Sequence, residues 1–227
     1  MSSVGPRGTL CEPFLRELGV SGAAISTIGG IQHPETLCAS DRIAGHVDEA
    51  QLDLGEGPCW DAAAVNDWVD APHFGDGTET RWPAFRDAVR DALHESLHEH
   101  PIGGLFAFPL SIGGLRVGTV DLYRREGGEL SRSIKDDAEQ LGATAARGVL
   151  RASLELLGQS DDDDDPRPRA IIHQATGMVL AQLDVTPDEA LLLLRGRAFA
   201  DGQKLRDIAR DVIEGRIDFS LEDRNSG

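Results

Sequence analysis

The side chains best placed to do chemistry lie near the end of the chain. Arg195, Arg197, Lys204, Arg206 and Arg210 fall within sixteen residues, and Gln174 precedes them. Guanidinium and ammonium groups hold phosphates, and an amide can read the edge of a splayed base. Ala175 and Gly177 are small enough to let a backbone or base come close, with Thr176 between them. The competing reading of the arginines is a solvated face salted by Asp207 and Asp211, and residue types alone leave both open. Ala175, Met178 and Ala209 read as core.

Other constellations promise less. His94 and His98 stand four apart, with His100 close behind and Glu95 and Glu99 between. Zinc needs three or four convergent ligands and this spacing supplies two, so no metal site is expected. Cys11, Cys38 and Cys59 are odd in number, widely spaced and without a C-x-x-C pair. They are expected to be buried structural thiols, with neither a disulfide framework nor a zinc knuckle. No cofactor is expected.

The chain has 227 residues and a net charge of −17, unevenly spread. From Pro166 onward nine basic residues meet ten acidic ones, a net of −1. The first 165 residues carry 13 basic and 29 acidic side chains, a net of −16. Only the tail suits an approach to phosphates. No apolar run reaches membrane-spanning length, and Met1 to Gly8 lack a signal-peptide pattern, so a cytoplasmic protein without membrane contact is expected.

"SDDDDDPRPR", from Ser160 to Arg169, separates two parts. Adjacent carboxylates repel, and the prolines remove donors and disfavour helix before them. A linker over 159–168 is therefore expected, between domains at 1–158 and 169–227.

The first part mixes strand and helix signals. "GAAISTIGG" reads as a strand ending in a turn. In "RWPAFRDAVRDALHESLHEH", Trp82, Phe85, Val89, Ala92, Leu93 and Leu97 share a helical face. Two β-rich runs flank Gly113-Gly114, a hairpin signal. Val120 and Leu122 alternate with Thr119, Asp121 and Tyr123, which predicts one buried sheet face. A helix is expected from about Ser131 to Leu157, with Ile134, Ala138, Leu141, Ala145 and Ala152 in a stripe interrupted at Gly148. The fold class is α+β. The strings "GEGPCWDA", "RWPAF" and "FPLSIGGLRVGTVDLY", with the closing helix, resemble a GAF domain over nearly all of residues 10 to 157. That resemblance implies an antiparallel sheet flanked by helices, a small-molecule pocket of unnamed ligand on one sheet face, and dimerisation through terminal helices. The cyclic-nucleotide signature of some GAF domains is missing, since Asp67 follows Asn66 and no Asp-Glu pair follows Phe85. The cysteine spacing also differs from the closer pattern of the GAF-fold free methionine sulfoxide reductase.

The tail carries three helix patterns. The first spans about Pro168 to Leu183, with Ile171, Ile172, Ala175, Met178, Val179 and Leu183 on one face. The second opens on a capping box at Thr186 and Glu189 behind Pro187, and ends near Gly202. The third carries Leu205, Ile208, Ala209, Val212 and Ile213 and stops at Gly215. Phe199 is expected to be buried. "QATGM", "EALLLLRGRAF" and "KLRDIARDVI" closely resemble the ANTAR domain, a three-helix RNA-binding module of bacterial antiterminators. The resemblance implies RNA contact through Gln174, Thr176, Gly177, Arg195, Arg197, Lys204, Arg206 and Arg210. Family members commonly have lysine where this chain has Thr176.

The expected protein is a dimeric, non-enzymatic regulator that binds paired stem-loops in nascent RNA. A redox-active GAF enzyme and a protein-interaction module without RNA binding are the alternatives. Asp161 to Asp165 are expected to compete with RNA phosphates for Arg195 and its neighbours. Replacing all five with Asn then raises affinity for hairpin RNA, measured by titration, more than removing five distant carboxylates does; equal gains defeat the idea.

Overall fold

The structure, a computed structural model, describes residues 10–28, 34–92, 102–158, 168–183 and 185–220. It divides into two compact units, Met1–Ser160 and Asp161–Gly227, each taken by itself below. The histidine group at 94–100 and the aspartate run at 161–165 lie outside the described residues.

The first unit is built on a five-stranded antiparallel sheet in the order β2-β1-β5-β4-β3. The strands are β1 (Gly22–Ser26), β2 (Thr36–Ala39), β3 (Val69–Ala71), β4 (Gly104–Ile112) and β5 (Leu115–Arg124). The β4–β5 hairpin closes through Gly113-Gly114, with Ile112 paired to Leu115. Gly113 takes the positive φ, 60°, that the first place of such a two-residue loop demands.

Helices cover both faces. Over one lie α1 (Glu12–Leu18) and α5 (Arg132–Gly158), which bury Phe14, Leu18, Ala138, Ala145 and Val149 against Phe106, Phe108, Val120 and Leu122. Gly142 of α5 lacks a Cβ that would stand 2.9 Å from the Phe108 ring, so the helix sits close on β4. Over the other lie α2 (Arg42–Leu54), α3 (Pro58–Val65) and α4 (Pro83–Ala92), with Val47, Ala62, Phe85 and Val89 against Ala24, Leu105, Ala107 and Tyr123. Trp82 joins that core, whereas Ala92 is exposed, and Leu93 and Leu97 lie outside the described residues.

Two expectations are corrected here. Strand β5 does not have one wet face, because every residue from Val117 to Tyr123 is buried. The alternation of Val120 and Leu122 with Thr119, Asp121 and Tyr123 therefore separates two covered faces. Nor are Cys11 and Cys38 free thiols. They form a disulfide, with Cα atoms 6.2 Å apart, between the start of α1 and strand β2. Separation along the chain carries no information about that closeness. Cys59 alone of the three remains a thiol, and it is buried.

The second unit holds α6 (Pro168–Leu183), α7 (Pro187–Asp201) and α8 (Leu205–Ile213) around Ala175, Val179, Ala190, Leu194, Ile208 and Val212. The capping box forms: Glu189 N–H donates to Thr186 Oγ1 at 3.3 Å, and Thr186 N–H donates to Glu189 Oε2 at 2.8 Å. Gly202 closes α7 with φ of 62°. Phe199, expected in the core, is 64% exposed. The buried stripe of α7 is Ala190, Leu194 and Ala198, one turn apart, and Phe199 sits on the opposite side with Leu192.

One glycine in the sheet makes a direct test. A Cβ on Gly118 would lie 2.2 Å from the Ser26 carbonyl oxygen, a backbone atom fixed by strand pairing. Gly118→Ala is expected to destabilise the first unit by about 2–3 kcal/mol in denaturant titration. Gly114→Ala, which meets nothing within 4 Å, is expected to leave the midpoint nearly unchanged.

Candidate functional site

In the second unit the polar candidates stand on three helices. Gln174 and Gly177 are exposed, three apart on α6, and the space beside Gly177 is open. Thr176 lies between them, half-buried, and its hydroxyl donates to the Ile172 carbonyl at 2.7 Å. That bond holds the hydroxyl against its own helix. Ala175 and Ala209 are fully buried and Met178 is half-buried, so these three belong to the core.

Arg195 and Arg197 are two residues apart on α7, and residues at that spacing do not share a face. Both are half-buried, and Arg197 pairs with Asp201 at 2.5 Å. Lys204 is exposed at the N-cap of α8. Arg206 and Arg210 follow at helical spacing, exposed, and share Asp207 at 3.7 and 3.5 Å. The structure thus gathers Arg206 with Arg210, and Gln174 with Gly177, and sets Arg195 and Arg197 on different sides of one helix. Exposed apolar side chains add to this surface. Leu192 and Phe199 are 67% and 64% exposed on the outward side of α7, with Gly196 between them. The sequence hides them because the four successive leucines Leu191 to Leu194 point to every side of α7, so no periodicity marks its inner face.

The first unit buries a polar cluster that sequence reasoning did not single out. Asp48 and Gln51 lie on the buried side of α2, in line with Ala44 and Val47. Asp121 lies on β5, flanked across the sheet by Ala24 of β1 and Ala107 of β4. Those alanines leave space on that face. Thr36 donates to Asp48 Oδ2 in a short hydrogen bond, and the Ser26 and Thr119 hydroxyls lie 3.1 Å apart. Cys59 N–H donates to Gln51 Oε1 at 2.8 Å. An acidic and an amide residue falling on the apolar stripe of α2 were the available signal.

Burial pushes the Asp48 carboxyl up to about 6, against the Thr36 and Ser26 hydrogen bonds that favour its anion. Burial and the neighbouring Asp48 charge hold Asp121 well above the ordinary carboxylate range. Burial, then the charges of Asp121 and Asp48, push the Cys59 thiol up as well. A thiol so held is a poor nucleophile. At the edge of this face the Tyr123 hydroxyl donates to Asp41 Oδ2 at 3.0 Å, and Asp41 also caps α2 by accepting from Ala44 N–H at 2.8 Å. Burial and the Asp41 charge raise the tyrosine. Among the described residues no group of three or more His, Cys, Asp or Glu is placed to hold a metal.

The fold and these surfaces define a two-unit α+β protein, with a doubly covered antiparallel sheet and a helical unit bearing exposed cations. Residues 165–213 match the family model of the ANTAR domain, so the helical unit carries an ANTAR domain. No curated protein matches the chain. Among solved structures, the chain is similar to a domain of a putative two-component sensor histidine kinase protein from Sinorhizobium meliloti 1021. That match has 16% identity and a TM-score of 0.45, and covers 67% of this chain and 93% of the other. A type II free methionine-R-sulfoxide reductase from Thermoplasma acidophilum gives 12% and 0.43, over 61% and 86%. The PixJ GAF-domain of Thermosynechococcus elongatus, in its blue-light absorbing form, gives 10% and 0.38, over 66% and 86%. At these scores the likenesses carry no weight for function.

Proposed function

We propose that the chain is a transcription antitermination regulator whose ANTAR domain binds hairpin loops in nascent RNA. The observation that carries this reading is the ANTAR match over 165–213, on a helical unit that exposes Gln174, Lys204, Arg206 and Arg210. Cations hold the RNA backbone while amides and aromatic faces engage unstacked bases. Phe199 supplies an exposed ring beside these groups in sequence, and a ring of this kind stacks a base without regard to its identity. Thr176, Gly177, Arg195 and Arg197 complete the proposed contact set.

The first unit serves, in this reading, as a GAF-like sensor or as the dimerisation domain, and its ligand is an unidentified small molecule. Support comes from the sequence strings of residues 10 to 157 and from the antiparallel sheet between two helical layers. Two copies would present two ANTAR domains to paired loops and gain by avidity. The reading contains no covalent step, and it sets the protein in the cytoplasm. There the Cys11–Cys38 bond is shielded from soluble thiols, the two residues being 1% and 6% exposed.

The test is binding of the full chain to short hairpin RNAs across a salt series. Affinity is expected to fall steeply with salt, and Arg206→Ala and Arg210→Ala each to lower the slope by about 0.7, the share of one single-strand phosphate contact. Phe199→Ala is expected to weaken binding about 10-fold or more at every salt concentration, leaving the slope unchanged, as loss of a stacked base would. Absence of RNA binding at low ionic strength, in the dimeric protein, overturns the reading.

A further inference from the structure

Among the buried polar atoms of the first unit without a hydrogen-bond partner are Asp48 Oδ1, Gln51 Nε2 and Asp121 Oδ2. All three belong to the cluster between α2 and β5. Asp48 and Gln51 are 0% exposed and Asp121 is 5% exposed. Leaving such atoms unpaired costs about 1–3 kcal/mol each, and more for a charged group. Two of the three are carboxylate oxygens, which as anions can only accept. Yet the carboxyls lie within hydrogen-bonding reach of one another. Two acceptors side by side remain orphans until one carries a hydrogen.

We propose that Asp48 and Asp121 form a buried proton-binding site, in which one proton shared by the pair at neutral pH ties helix α2 to strand β5. The proton turns one carboxyl into a donor toward the other and removes one of two like charges from the interior. The surroundings select which carboxyl keeps it. Asp48 receives hydrogen bonds from Thr36 of β2 and Ser26 of β1, both favouring its anion. Glu49 of the same helix opposes that anion weakly. The Gln51 side chain favours the Asp121 anion too, but the facing Asp48 charge opposes it more strongly. Cys59 of α3 faces both and stays a neutral thiol. Among the described residues, none of the principal influences on either carboxyl is a cation. Asp121 is therefore the protonated partner and Asp48 the anion.

The linkage has a definite sign. Both groups are raised above their unfolded values near 3.8. Stability from the site is full below that pH and is lost as pH rises. The first proton leaves near 6, the value for Asp48. Above it the folded protein still holds one proton that the unfolded chain has released. The folding equilibrium then weakens about tenfold for each further pH unit until that proton also leaves. The site is independent of RNA binding, so either reading can fail without the other.

The experiment uses the full chain and two readouts. All three tryptophans, Trp60, Trp68 and Trp82, lie in the first unit, so their fluorescence follows its unfolding alone. Asp121→Asn places an amide donor where the proton acts. Between pH 6 and 8 the wild type is expected to lose about tenfold more of its folding equilibrium per pH unit than Asp121→Asn does. Infrared spectra of protein with labelled aspartate are expected to show a carboxylic-acid carbonyl at pH 7, absent from Asp121→Asn. Equal pH slopes overturn the proposal, and so does a wild-type spectrum with carboxylate bands only, a measurement that stands even if the variant does not fold. Recovery of the wild type at pH 8 by potassium, ammonium or magnesium ions, without effect on Asp121→Asn, also overturns it, because the site would then take a cation.

Discussion

From Val117 to Tyr123, strand β5 lies between two helical layers, and water reaches neither of its faces. Most of the character of the first unit follows from that double cover. The face under α1 and α5 receives aromatic and aliphatic side chains throughout. The face under α2, α3 and α4 receives Thr119 and Asp121 in the middle of an otherwise apolar floor. A polar residue there must be answered from the helix above, since no solvent is available to it. Helix α2 supplies Asp48 and Gln51, and β1 and β2 supply hydroxyls. An all-apolar strand would have been the simpler solution, so the polar cluster is a local departure from good packing within a sheet that is otherwise regular.

The second unit works under the opposite constraint. Its core sets alanine at Ala175, Ala190, Ala198 and Ala209 among Ile171, Leu194, Ile208 and Phe219. Small residues let three short helices approach closely, but they bury little area, and units of this size are marginal. Explicit end-signals make up part of the deficit. The capping box at Thr186 and the left-handed Gly202 satisfy backbone groups that a longer helix could leave to fray. Leu192 and Phe199 stand outward because they fall on the side of α7 opposite Ala190, Leu194 and Ala198.

How much of this could be read in the sequence depended on whether a signal was local. Turn and cap chemistry is local, and the Gly113 hairpin and the Thr186 capping box stand where residue types placed them. The helices of the tail agree with their patterns for the same reason. Phe199 is not legible as exposed because Leu191 to Leu194 ring α7, and only the tertiary choice of Ala190, Leu194 and Ala198 reveals its inner face. The Cys11–Cys38 bond joins segments whose meeting depends on the whole sheet. Asp121 looked like the wet half of an alternating strand until the second helical layer was known. Nothing within a few residues of Asp121 announces Asp48.

The ion pairs of the second unit bear on how it could hold RNA. Arg197 already has Asp201, Arg206 and Arg210 share Asp207, and Arg216 pairs with Asp211 and Glu214. Exposed pairs of this kind contribute about 0–1 kcal/mol each, so a phosphate can replace the carboxylate at little cost. The carboxylates nonetheless remain beside the incoming phosphate and repel it. A random polyanion laid on this surface would meet nearly as many negative as positive groups. Only a strand that threads its phosphates past the aspartates, and places a base against an exposed side chain such as Phe199, would gain from every arginine. A nearly neutral surface therefore favours shape over charge density, and the strongly anionic first unit reinforces that bias by repelling long nucleic acids at a distance.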